Sequence, residues 1–219
     1  MIVVVGSLAW RDAPPPGPAG RACGIAIAAA AGGATTEVVG RLGDDRSGDS
    51  LVIALARAGV GHAAVLRDPT RATLVLVPIA EPEESDPFAD EAPAPVLEAT
   101  VGPLLEPADV ALGLQYLTAF EVLVVTDDVP PDALPACVEG AGFAGAHLVV
   151  LVAAGREAPG GIPADATVLE VPGSDDDRTF ATLVGAYAAG LAGGLAPADA
   201  FTAATGAAMA APVPGVTTN

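Results

Sequence analysis

The chain of 219 residues predicts an α/β fold, with a mainly parallel central sheet flanked by helices and a small projecting sheet. Three observations predict it. Short runs rich in Val, Ile and Leu alternate with longer Ala/Leu segments of helical period, the pattern of a parallel sheet covered by helices. One stretch breaks that alternation by setting strand-like runs in succession with no helix among them. The length allows about 70% of the unfolded surface to be buried, enough for a core that needs no disulfide or metal.

Taken in order, the apolar runs predict strands over residues 2–5, 36–39, 122–126, 147–152 and 167–171. Helices are predicted over 22–31, 47–58, 106–117, 131–141, 179–191 and 197–210. Pro131 and Pro197 suit a first helical turn, where the missing N–H costs nothing. The helix-free stretch supplies runs at 63–66, 73–78 and 96–100, read as lid-like strands of an accessory sheet within about 63–100 of a single domain. Between the last two, residues 81–95 carry many acids and four prolines. Such a segment cannot pack a core and reads as a solvated loop. The Pro-rich piece 12–20 reads as a loop after the first strand, and no internal repeat is apparent.

Composition excludes several classes. The formal charge is −18, and it arises from missing bases: nine arginines, no lysine and 27 acids. A chain without a concentrated basic face is no partner for nucleic acid or an anionic membrane surface. The most apolar stretch, 25–34, is too short to span a bilayer. A strand directly after Met1 leaves no room for a leader and predicts a cytoplasmic protein. Cys23 and Cys137 lie in no C-x-x-C pair and read as reduced, buried thiols. His62 and His147 stand alone among apolar neighbours, and neither is assigned a catalytic role.

Motifs and their spacing then add a resemblance. The opening IVVVGS, the segment PAGRACGIAIAAAAGGA at 18–34 and above all VVGRLGDDRSGDSLVIALARAGV at 38–60 are the stretches concerned. The last matches a G-x-x-G-x-D-x-x-G signature through Gly40, Gly43, Asp45 and Gly48. Residues 66–78 look like lid strands, LEPADV near Asp109 resembles the helix start after the lid, and 179–208 is similar to a pair of closing helices. Together they resemble the ribokinase-like (PfkB) carbohydrate kinases, over most of the chain. The resemblance implies a ribokinase-like fold and a substrate site involving Asp12, Gly20, Gly24, Gly43 and Asp45; a homodimer through the lid strands is expected because a short two- or three-stranded sheet with one apolar face is marginal alone.

Phosphoryl transfer needs a carboxylate base, backbone N–H groups that hold the phosphoryl charge and a positioned nucleotide. In the family the helix matching 179–191 opens on G-A-G-D. Setting Phe180 against the aromatic that follows this motif puts Asp175, Asp176, Asp177 and Arg178 in its place. Arg178 occupies the base position, and a guanidinium stays protonated near neutral pH. Asp175, Asp176 and Asp177 occupy the anion-hole position, where carboxylates repel a phosphate tail. These acids, with Ser174, also suit a plain helix cap. At the sugar end Arg11 and Gly24 stand where the family has Asp and Asn, with Asp12 one residue late. Between 152 and 167 only a short connection rich in Gly and Pro replaces the family's longer nucleotide segment.

The reading that follows is a degenerate, shortened carbohydrate kinase-like protein, non-catalytic and binding a small ligand or a partner protein, with no cofactor. The alternative is a divergent active sugar or nucleoside kinase using ATP and magnesium, with Asp177 as the fallback base. A structural subunit that completes an oligomer with an active kinase is a third reading.

Overall fold

The computed structural model describes residues 1–78, 97–172 and 178–210. The chain opens with β1 (Ile2–Val5), then a hairpin of β2 (Ala9–Arg11) and β3 (Gly17–Ala19), and α1 (Arg21–Ala31). A β4 (Thr36–Gly43), α2 (Arg46–Arg57), β5 (Val60–Asp68) unit follows. Next come β6 (Leu74–Pro78), β7 (Leu97–Ala99), α3 (Pro107–Tyr116), β8 (Val122–Val125), α4 (Leu134–Ala144), β9 (His147–Val152) and β10 (Thr167–Glu170). Helices α5 (Arg178–Ala192) and α6 (Pro197–Ala210) complete the described chain.

Six strands form the central sheet in the order β10-β9-β8-β1-β4-β5, every neighbouring pair parallel. Strands covered on both faces must be apolar on both, which is why they read as continuous runs. Along β1, Ile2 and Val4 enter one core with Ala26, Leu51 and Val184, while Val3 and Val5 enter the other with Val110, Leu114 and Cys137. Helices α1, α2, α5 and α6 therefore cover one face, and α3 and α4 the other. Full burial of each such Val or Leu contributes about 1.5–3 kcal/mol.

The expected accessory sheet exists with a different membership: its order is β3-β2-β6-β7. Residues 63–66 do not belong to it. They lie within β5, paired with β4 from Thr36↔Val60 to Gly43↔Asp68. The reason is α2: a β-α-β crossover returns its second strand parallel to the first in the same sheet. The vacant places in the lid go to the segment 12–20 expected to be a loop, because β3 lies in it and pairs antiparallel with β2. Pro18 is compatible with this because β3 is an edge strand, where no donor is needed on the outer side. Strand β2 then pairs parallel with β6, and β6 antiparallel with β7. Of the expected run 96–100, residues 97–99 form β7, while Val96 and the acidic stretch 81–95 lie outside the described residues.

Helix α4 starts at Leu134, three residues later than the sequence predicts. Pro131 falls in the preceding turn, and Pro135 takes the early helical position instead. Pro197 opens α6 as expected. Strands β9 and β10 are joined by residues 153–166 without a helix, and Ile162 of that connection packs on the second core. No helix among the described residues is long and apolar enough to cross a membrane.

Candidate functional site

In an open parallel sheet, ligands settle beyond the carboxyl ends of the strands where the winding reverses. Here that point lies between β1 and β8, because the chain winds from β1 through β4 to β5 on one side and from β8 through β9 to β10 on the other. Gly6 follows β1, and Thr126, Asp127 and Asp128 follow β8. A side chain at residue 6 would run into Thr126 Oγ1, so the crossing requires glycine. The Thr126 hydroxyl reaches both Val5 O at 3.1 Å and Asp128 Oδ1, with one proton to donate. Asp128 Oδ1 also accepts from the Ser7 amide at 3.5 Å.

Beside them, Arg21 Nη1 lies 3.2 Å from Asp127 Oδ1, both side chains mostly buried. The contact is one of charge only: Arg21 Nε and Asp127 Oδ1 are buried without a hydrogen-bond partner among the described residues. Sequence reasoning missed Thr126, Asp127, Asp128 and Arg21. The signal available was positional, a Thr-Asp-Asp run directly after a buried strand.

Under the lid, β2, β3 and Leu76 of β6 face α1 and the start of α5 across a cleft of about 500 Å³. Two of the expected substrate residues, Gly20 and Gly24, line it, as does Arg11. Asp12 does not. It is exposed, and its amide extends the lid ladder by donating to Leu76 O at 2.9 Å. Arg11 donates through Nε and Nη2 to Pro15 O at 3.2 and 3.0 Å. Gly24 is glycine for a packing reason: a Cβ there would stand 3.1 Å from Ala181 Cβ. Farther along the same crossing, a Cβ on Gly185 would meet Ala28 Cβ at 2.7 Å. Small residues at a helix contact let the axes approach, so α1 and α5 pack closely beside the cleft that Gly24 lines.

Gly43 and Asp45 lie away from this cleft, where β4 hands over to α2. Asp45 caps α2 by accepting from the Gly48 amide at 2.8 Å. It also accepts from Thr73, the residue leading into β6, at its amide (2.7 Å) and hydroxyl (2.8 Å). Burial raises the Asp45 pKa, but the Gly48 and Thr73 bonds with nearby Arg67 outweigh that and hold it below the usual value. The Gly43 amide donates to Thr73 Oγ1 at 3.0 Å, and a Cβ on Gly43 would stand 2.6 Å from Arg71 O. The signature motif is thus the seat on which the lid connection rests.

The other lid connection is tied by Arg41. Its Nη2 lies 3.3 Å from Asp68, and its Nη1 lies 3.2 Å from Asp109 and from Leu104 O and 3.3 Å from Glu106. Asp68 is held below the ordinary carboxylate range, first by the Thr70 hydroxyl and amide and then by Arg41.

Arg178 is the first residue of α5, while Asp175, Asp176 and Asp177 lie outside the described residues. The thiols are inert: burial pushes Cys23 and Cys137 up to about 12. His147 Nε2 bonds the Thr167 hydroxyl at 2.9 Å, which in turn bonds Tyr187 Oη. Among the described residues no group of three His, Cys, Asp or Glu converges as metal ligands would.

A parallel sheet with a lidded cleft at its carboxyl end, closed by a four-stranded mixed sheet, defines a ribokinase-like fold. Solved structures share it. A ribokinase from Arabidopsis thaliana, complexed with ribose and ATP, superposes with a TM-score of 0.70 over 98% of this chain and 93% of that one, at 15% identity. A PfkB protein from Polaromonas sp. gives 0.68 over 94% of each chain at 15% identity. An uncharacterized sugar kinase from Pyrococcus horikoshii in complex with ATP gives 0.53 at 12% identity, over 69% of this chain and 53% of that one. Likeness at these identities is likeness of fold. No protein-family model matches the sequence, and no curated protein matches it.

Proposed function

We propose that this chain is a non-catalytic ribokinase-like protein that holds a small molecule in the cleft beneath its lid. The observation that carries the reading is the lining of that cleft: Arg11 and Gly24 stand there, at the places where the resemblance calls for Asp and Asn. A guanidinium offers donors only, and glycine offers no side chain. Neither can replace a carboxylate or amide that accepts from a sugar hydroxyl. The base position, Arg178, supports the same conclusion, since an arginine takes no proton near neutral pH.

The experiment measures nucleotide affinity and phosphate transfer over a panel of pentoses, hexoses and nucleosides with magnesium. The reading expects neither. Micromolar ATP binding by the wild type, or turnover that is lost in Asp177→Asn, would replace it with the active sugar or nucleoside kinase.

The same proposal includes a homodimer through the lid. The outer strands of the lid, β3 and β7, are edge strands, and an open edge is a template for pairing with a second chain. The residues of β6 are only half-buried or exposed, and Val101, just beyond β7, is exposed.

A further inference from the structure

The lining of the lid cleft also bears on what it holds. Its walls are mainly carbon, from Pro16, Pro18, Ile27, Leu76 and Ala181. A polyol placed there finds few partners, and each hydroxyl buried without one costs about 1–3 kcal/mol. Two charged side chains line the cleft among the described residues, Arg11 and Arg21. Arg21 is held by Asp127. Arg11 is oriented by a neutral group, the Pro15 carbonyl, which takes its Nε and Nη2 and leaves Nη1 without a protein partner among the described residues. A guanidinium lining an apolar cleft is the complement of a single carboxylate on a hydrocarbon body. Inorganic phosphate has no hydrocarbon to set against these walls, which favours a carboxylate with a carbon chain.

We propose that the cleft takes a small apolar monocarboxylate, its carboxylate on Arg11 and its carbon chain against Ile27 and Leu76. This rests on the reading that the cleft holds a small molecule. The test is calorimetric titration of the full chain with acetate, butyrate, hexanoate, ribose and inorganic phosphate.

Affinity should rise about three- to fourfold per methylene from acetate to hexanoate, with ribose and phosphate much weaker. Arg11→Gln should weaken hexanoate by about tenfold or more, the value of a charge-assisted bond. The chain-length series needs no variant and so remains decisive if Arg11→Gln fails to fold. Equal binding of hexanoate by wild type and Arg11→Gln overturns the proposal, as does affinity that is flat with chain length or absent. Preferential binding of ribose without turnover overturns it too, yet leaves the non-catalytic ligand-binding reading standing. Turnover of ribose with magnesium ATP overturns that reading itself.

Discussion

Both carboxylate oxygens of Asp45 bond Thr73: Oδ2 accepts from its amide at 2.7 Å and Oδ1 from its hydroxyl at 2.8 Å. One side chain thereby caps α2 and anchors the connection into the lid. Removing it in Asp45→Ala should cost about 2 kcal/mol, a lost cap together with lost charge-assisted bonds. For a chain of this size that lowers the melting temperature by about 4–8 °C, measurable by calorimetry. An unchanged melting temperature would show that neither contact matters.

The same carboxyl predicts a pH dependence. Its folded pKa lies below the ordinary 3.8. Its stabilisation is therefore complete above that value and is lost as pH falls through the lower folded pKa. Melting temperatures of the wild type and Asp45→Asn should differ most at neutral pH and converge in acid. Parallel curves down to pH 2 would contradict this.

Arg41 faces Asp68, Asp109 and Glu106 at once. Replacing it in Arg41→Met leaves three carboxylates together, two of them largely shielded from water. The expected cost is about 2 kcal/mol, between the values for surface and buried pairs. Hydrogen exchange should quicken at the lid connections 68–73 and 100–106. Protection unchanged there would separate Arg41 from the lid.

Restoring an amide at residue 24 should fail. In Gly24→Asn the new Cβ stands 3.1 Å from Ala181 Cβ, so α5 must give by a few tenths of an ångström, at a cost of about 1 kcal/mol, the low end for overpacking. Thermal unfolding reads the cost, and a phosphotransfer assay reads the expected absence of activity. Arg178→Asp should likewise restore no turnover, since a base contributes about 10²–10⁴-fold only to a substrate that is bound in place.

The lid dimer predicts a particle of twice the chain mass by light scattering at tens of micromolar. Val101→Glu, which puts charge on the exposed side of the lid connection, should shift it to monomer. A wild-type monomer at that concentration would dismiss the interface.

What the sequence alone determined is the part of the protein built on local periodicity. The runs IVVV and VLVV are apolar at every position and HLVVLV at every position after His147, and only strands covered on both faces tolerate that, so the parallel sheet and its helices were legible. The signature Gly40, Gly43, Asp45 and Gly48 was legible as a motif, but its work was not, because Thr73 lies 28 residues from Asp45 and nothing local announces the contact. Two lid strands, β6 and β7, were legible as runs, but the tertiary structure alone decided that β2 and β3 complete the lid: at three residues each they are too short to show a period, and they become strands by pairing with each other and with β6, more than 60 positions from β2. It also decided that Asp127 and Asp128 stand beside Ser7 and Arg21, a meeting across more than 100 residues set by sheet order. Periodicity is written into neighbours along the chain. Sites are written into which strand ends lie side by side, and that is settled only when the whole sheet has closed on its two cores.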